Sequence, residues 1–151
     1  MQVIKAPDPV ISTNPLAKIL FLAGSIEMGQ ASNWQDEVEK LLANTGWVIL
    51  NPRRDDWDSS WIQSKDNPKF REQVEWELNG LEAAQKVLMY FDPATKSPVS
   101  LFELGLFAQA PHKMIVVCPE GFWRKGNVDI VCERYGIRQF SNLEEASKEL
   151  M

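Results

Sequence analysis

Two glutamates stand in this sequence where apolar residues would be expected. Glu103 lies inside Ser97-Pro-Val-Ser-Leu-Phe-Glu-Leu-Gly-Leu-Phe107, a segment whose helical period leaves it no broad polar face. Glu77, at about 100° per residue, projects among Phe70, Val74, Leu78 and Leu81. An ionised carboxylate in such company is costly unless it is paired or put to use. Two carboxyls in weakly polar surroundings suit covalent and acid–base chemistry, one attacking while the other, its proton affinity raised, donates. Each also has a structural alternative. Ser100-x-x-Glu103 fits a capping box, with the glutamate reaching back to the serine N–H. Glu77 has Arg53 and Arg54 as candidate ion-pair partners. For Glu103 the two roles are compatible, because a nucleophile must be held still.

Few other groups compete for the chemistry. His112 is the only histidine, so acid–base work falls on carboxylates. Cys118 and Cys132 lack metal-ligand spacing and read as reduced thiols. Gly24-Ser-Ile-Glu-Met-Gly29 is a strand-to-helix turn but not a dinucleotide fingerprint, and Glu27 stands where a phosphate would approach. Asp55, Asp56 and Asp58 sit beside Arg53 and Arg54, which predicts a salt-bridged loop rather than a metal site. Trp57, Trp61 and Trp123 fall in loops, where an aromatic either stacks on a flat base or packs within the protein. No metal and no cofactor are expected.

The elements that position these residues follow from pattern. Residues 1–17, with Pro7, Pro9 and Pro15, read as an extended arm, and residues 18–151 as one domain. Apolar runs at Lys18–Ala23, Trp47–Leu50, Lys86–Phe91 and Met114–Cys118, with a short strand around Ile137–Phe140, predict five strands. Helices are expected between them. One follows a capping box at Ser32-x-x-Gln35, one starts at Asn67-Pro68, and one runs from Ser100 to about Ala110. Two more are placed near Val128–Tyr135 and from Asn142 onward. Strands alternating with helices imply an α/β fold, a doubly wound parallel sheet of the flavodoxin-like or Rossmann-like kind with helices on both faces. Ligands of such sheets bind beyond the carboxyl ends of the strands. That rule gathers Gly24-Ser25, Asn51–Trp57, Asp92–Ser100 and Pro119–Asn127 around one crevice.

Composition sets the bounds. The 151 residues suffice for one core, and 44% apolar with 25% charged residues is a globular balance. A net charge of −5 argues against a nucleic-acid polymer or anionic membrane as partner, though not against a single small nucleotide. No apolar run reaches membrane-spanning length and no signal-peptide pattern is present, so a cytoplasmic location is expected.

Several motifs, in order, carry a resemblance: Phe21-Leu-Ala-Gly-Ser25, Glu77-Leu-Asn-Gly-Leu81, Glu103-Leu-Gly105 after a serine-containing loop, and Gly126-Asn-Val-Asp129. Over roughly Lys18 to Ile137 the chain resembles the nucleoside 2-deoxyribosyltransferase superfamily, which includes nucleotide N-glycohydrolases. The resemblance implies cleavage or transfer at the N-glycosidic bond of a nucleoside or related small molecule, through a covalent glycosyl-enzyme. It makes Glu103 the nucleophile and Glu77 the acid or anchor on the base side. It further implies that Phe21, Gly24, Ser25, Arg53, Trp57, Asp92, Ser97, Asn127 and Asp129 bind substrate. Asn127 matches a residue that reaches into a neighbouring subunit's site, which implies a homo-oligomer, at least a dimer.

The chain also departs from the family pattern. A base-contacting aspartate is Ser97 here, with Asp92 nearby but not at matching spacing, and a first-strand tyrosine is Phe21. An arginine of the nucleotide-hydrolysing relatives is Glu27, which would repel a 5′-phosphate. These changes motivate an alternative, a nucleoside- or nucleotide-binding sensor of the same fold without efficient catalysis.

Overall fold

The computed structural model describes residues 1–10, 16–27 and 31–151. Along the chain run β1 (Gln2–Lys5), β2 (Ile19–Gly24), α1 (Trp34–Leu41), β3 (Val48–Asn51), α2 (Pro68–Ala83) and β4 (Lys86–Tyr90). They are followed by α3 (Pro98–Phe107), β5 (Met114–Val117), α4 (Lys125–Tyr135), β6 (Arg138–Phe140) and α5 (Leu143–Lys148). Among the described residues the strands form one sheet of order β1-β3-β2-β4-β5-β6, parallel at every pairing. This is the doubly wound, flavodoxin-like arrangement.

The sheet has six strands where five are legible in the sequence. The extra one, β1, falls within residues 1–17 and pairs with β3, Gln2 opposite Val48 through Lys5 opposite Asn51. An edge strand of four residues needs little apolar content, and only Ile4 is buried.

Alternation along the strands divides the core in two. Leu20, Leu22, Ile49, Leu88, Ile115 and Val117 face α1 and α5, against Trp34, Val38, Leu143 and Ala146. Phe21, Ala23, Leu50, Val87, Met89 and Val116 face the opposite way, against Trp76 and Leu81 of α2, Leu104 of α3 and Val128 of α4. A period of two on a sheet covered on both faces explains why the runs read as continuously apolar.

The strand order reverses between β2 and β4, the switch point at which such folds open a crevice. Gly24 closes β2 there with φ of 132°, and a Cβ on it would lie 2.2 Å from the Tyr90 carbonyl oxygen. Only glycine lets β2 leave the sheet that close to β4. The Ser32-x-x-Gln35 box does not form. Asn33 is the cap residue of α1 and makes no side-chain cap bond, while Ser32 donates its N–H and hydroxyl to Asp92 at 2.9 and 3.0 Å. A carboxylate outcompetes a local cap for those two donors.

Candidate active site

Ser25 ties the two strand ends together. Its N–H donates to Tyr90 O at 2.9 Å, its Oγ accepts the Asp92 N–H at 2.8 Å, and its carbonyl accepts Trp34 Nε1 at 2.9 Å. The hydroxyls of Thr95 and Ser97 close a buried cluster on the same Oγ. Ser97 adopts the left-handed conformation at φ of 47°, and Pro98 follows at the first helical position, so α3 starts there. Glu27 also has positive φ and accepts the N–H groups of Lys96, at 2.6 Å, and Ser97.

Because α3 begins at Pro98, Ser100 lies inside the first turn and the expected capping box is absent. Glu103 is 6% exposed. Among the described residues it has no hydrogen-bond or ion-pair partner, yet its oxygens are not sealed in protein. They open onto a cavity.

The second wall is α2. Asn67 caps it, accepting the N–H groups of Lys69 at 3.1 Å and Phe70 at 3.4 Å, with Pro68 next in sequence. Its buried face is Gln73, Trp76, Gly80 and Leu81, rotated from the stripe expected on sequence, while Phe70, Val74 and Glu77 lie along the cavity. The expected arginine partner for Glu77 is absent. Arg54 makes paired 2.9 Å bonds to Asp56 and one of 3.2 Å to Glu72. Arg53 donates to Ser32 O at 3.3 Å and Gln35 Oε1 at 3.4 Å. Glu77 instead accepts Gln73 Nε2 at 2.7 Å.

The cavity between these walls measures about 470 Å³, a common size for a small-molecule site. It brings together Phe21, Gly24, Ser25, Arg53, Trp57, Glu77, Ser97 and Glu103. Three other expected residues lie outside it. Asp92 is engaged with Ser32 and Ala94. Burial pushes its carboxyl upward, but those donors hold it below its usual range. Asn127 lines a separate cavity between α3 and α4, and Asp129 accepts from Lys125 and Gln139. Gly29 of the first turn is outside the described residues. Trp57 lines the cavity and meets Trp61 edge-on at 4.9 Å, whereas Trp123 is exposed between Lys96 and Arg124.

Gln73 was not legible as a site residue. Its sequence signal was only its position four residues before Glu77, on one helix face.

The electrostatics follow from the packing. Burial, with the charge of Glu77 adding to it, pushes Glu103 up to about 8. Burial pushes Glu77 up to about 7, against the pull of the Gln73 amide. Two carboxyls that resist ionisation in one cavity, with no cation paired with either among the described residues, can carry nucleophilic and acid–base steps near neutral pH. Among the described residues no cluster of His, Cys, Asp and Glu is placed to hold a metal ion, and no helix is long and apolar enough to cross a membrane.

A family model described as "Nucleoside 2-deoxyribosyltransferase like" matches residues 17–122, a span that contains every residue lining this cavity. Comparison with curated proteins gives no match.

Proposed function

The chain belongs to the nucleoside 2-deoxyribosyltransferase-like family, and we propose that it cleaves or transfers the N-glycosidic bond of a nucleoside. The observation that carries this reading is the pair Glu77, half-buried, and Glu103, buried, which share one cavity at the strand ends and have no cation paired with them among the described residues.

The nucleoside lies with its anomeric carbon toward Glu103 and its base toward Glu77, flanked by Phe70, Val74 and Trp57. The ionised Glu103 attacks the anomeric carbon as the glycosidic bond breaks. The bonding electrons go to the base nitrogen, which takes a proton from Glu77. Water or a second base then displaces Glu103 from the opposite face, the one the first base left. The proton lost by that acceptor passes to Glu77, and the sugar keeps its configuration. Phe21 supplies the floor of the cavity and no hydroxyl, so nothing at that point contacts the sugar through a hydrogen bond.

The test is a panel of ribo- and deoxyribonucleosides, followed by chromatography for free base and, with a second base added, for exchange. Base release or exchange is expected, with Glu103→Gln lowering kcat by at least about a thousandfold, or ~4 kcal/mol of barrier. Nucleoside binding with no release or exchange would assign the chain to sensing. A Glu103→Gln protein of unchanged kcat would remove Glu103 from the reaction.

A further inference from the structure

The two carboxyls of the cavity are unequally provided with hydrogen bonds. Glu77 Oε1 accepts an N–H from Gln73 at 2.7 Å, and Glu103 accepts none among the described residues. The Gln73 amide cannot exchange its ends. Its Nε2 also donates to Pro52 O at 3.0 Å, and a backbone carbonyl only accepts. Turned over, the amide would set its oxygen against the Pro52 carbonyl and the Glu77 carboxylate together. Gln73 is 6% exposed, and its Oε1 is sealed without a partner, a cost the fold carries while keeping the amide in this orientation.

An N–H donor stabilises the ionised form of the carboxyl it faces. Glu103 receives no matching help. Arg54 is engaged by Asp56 and Glu72, and Arg53 by the Ser32 carbonyl and the Gln35 amide. Glu27 is the other acidic residue of the lining, and it faces the N–H groups of Lys96 and Ser97. Two negative charges in one poorly solvated cavity repel, so near neutral pH the pair holds a single proton. We infer that Gln73 decides where this proton rests, leaving Glu77 ionised and Glu103 protonated in the empty site, so that the nucleophile is held in reserve until a ligand reverses the arrangement. Values of about 7 for Glu77 and about 8 for Glu103 agree in order.

The inference rests on the proposed function for the name nucleophile, but the placement of the proton stands on the hydrogen bonding alone. The reversal is balanced: one proton leaves Glu103, one is gained by Glu77, and the pair keeps a net charge of −1. A bound nucleoside favours it from both ends. A base nitrogen that accepts a hydrogen bond stabilises protonated Glu77, and positive charge developing at the anomeric carbon stabilises ionised Glu103. The empty site thus keeps Glu103 uncharged toward stray electrophiles. Gln73 is a positioning residue in this scheme, acting through Glu77.

The experiment is a carbon-13 carboxyl NMR titration of the full chain, with the two resonances assigned from Glu77→Gln and Glu103→Gln. In the parent protein Glu77 is expected to ionise at lower pH than Glu103. In Gln73→Met, which keeps length and removes the N–H, the Glu77 curve is expected to move up past that of Glu103. With a turned-over nucleoside, kcat/KM of Gln73→Met then rises severalfold and the alkaline limb of its pH profile moves upward, whereas a purely structural role would only lower activity. Glu103 ionising first in the parent, a result that needs no variant to fold, overturns the inference. So does a folded Gln73→Met protein with both curves unmoved. The expected titrations from a protein that acts on no nucleoside would sink the proposed function and leave this inference standing.

Discussion

Glu77 and Glu103 reach one cavity from different helices, and the charge on Glu77 adds to burial in raising the proton affinity of Glu103. Among the described residues neither carboxyl has a cation to offset the other. The productive form for glycosyl transfer, Glu103 ionised and Glu77 protonated, belongs to the one-proton state of the pair. That state is most populated between the apparent values of about 7 and about 8.

Activity should therefore be bell-shaped in pH. A profile of kcat/KM for base release from pH 5.5 to 9.5 is expected to peak between those two values and to fall on both sides. Glu77→Gln should abolish the alkaline limb, since no proton remains to be lost there. The acid limb should remain, because Glu103 must still lose its proton and a protonated Glu77 exerts no repulsion there. A flat profile in the parent protein would separate these carboxyls from the rate.

The same groups set a stability trend. Both have folded-state values above the ordinary carboxylate value of 4.5, so the folded chain holds protons that the unfolded chain releases. Their contribution is complete below about pH 4.5 and is lost as pH rises through about 7 and 8. Glu103→Gln removes one of the two charges, and with it most of the repulsion. At pH 8.5 it should melt above the parent by several degrees, equivalent to about 2 kcal/mol. The gain should shrink toward pH 5, which a series of thermal melts would check. Equal melting temperatures at pH 8.5 would mean that the Glu103 carboxyl is well solvated.

How much of this was readable in advance depends on the range of each interaction. The apolar runs of β2 to β5 announce themselves because strands buried on both faces need continuous apolar sequence, whereas edge strand β1 needed only Ile4. Glu77 and Glu103 were legible as charges amid apolar neighbours on their own helices. Local backbone donors were misread where a distant carboxylate intervened. Asp92 takes the Ser32 donors, and Glu27 takes the N–H groups just before α3. Pro98 was the overlooked signal that α3 opens before Ser100. Asp92, Asn127 and Asp129 entered through the family resemblance rather than local pattern, and those three lie outside the cavity.

Gly80 shows how tightly the floor of the cavity is set. A Cβ there would lie 2.6 Å from the Phe21 ring and 3.3 Å from Leu50 Cδ1, and Phe21 is fully buried. Gly80→Ala gains about 1 kcal/mol of helix propensity but overpacks by about 1–3 kcal/mol. A net destabilisation of up to about 2 kcal/mol is expected in urea unfolding. Phe21 also lines the cavity, so KM for nucleoside should rise more than kcat falls. A stabilised Gly80→Ala protein would show that the ring has room to turn.

Glu27 bears on which nucleosides enter. It lines the cavity with Glu77 and Glu103, and its carboxylate already occupies the N–H groups of Lys96 and Ser97, the donors an anionic ligand group would seek. A phosphate monoester brings roughly two further negative charges into the same acidic lining. The chain should thus prefer a nucleoside over its 5′-monophosphate by a hundredfold or more in kcat/KM, on the order of 3 kcal/mol. Glu27 has φ of 39°, a conformation that glycine adopts without strain, so Glu27→Gly removes the charge while suiting the backbone. The preference should narrow at least about tenfold in that variant, or ~1.4 kcal/mol. Parallel rates on the two substrates, for parent and variant, make the comparison. A parent that accepts the monophosphate as readily as the nucleoside would place the 5′ end of the sugar away from Glu27.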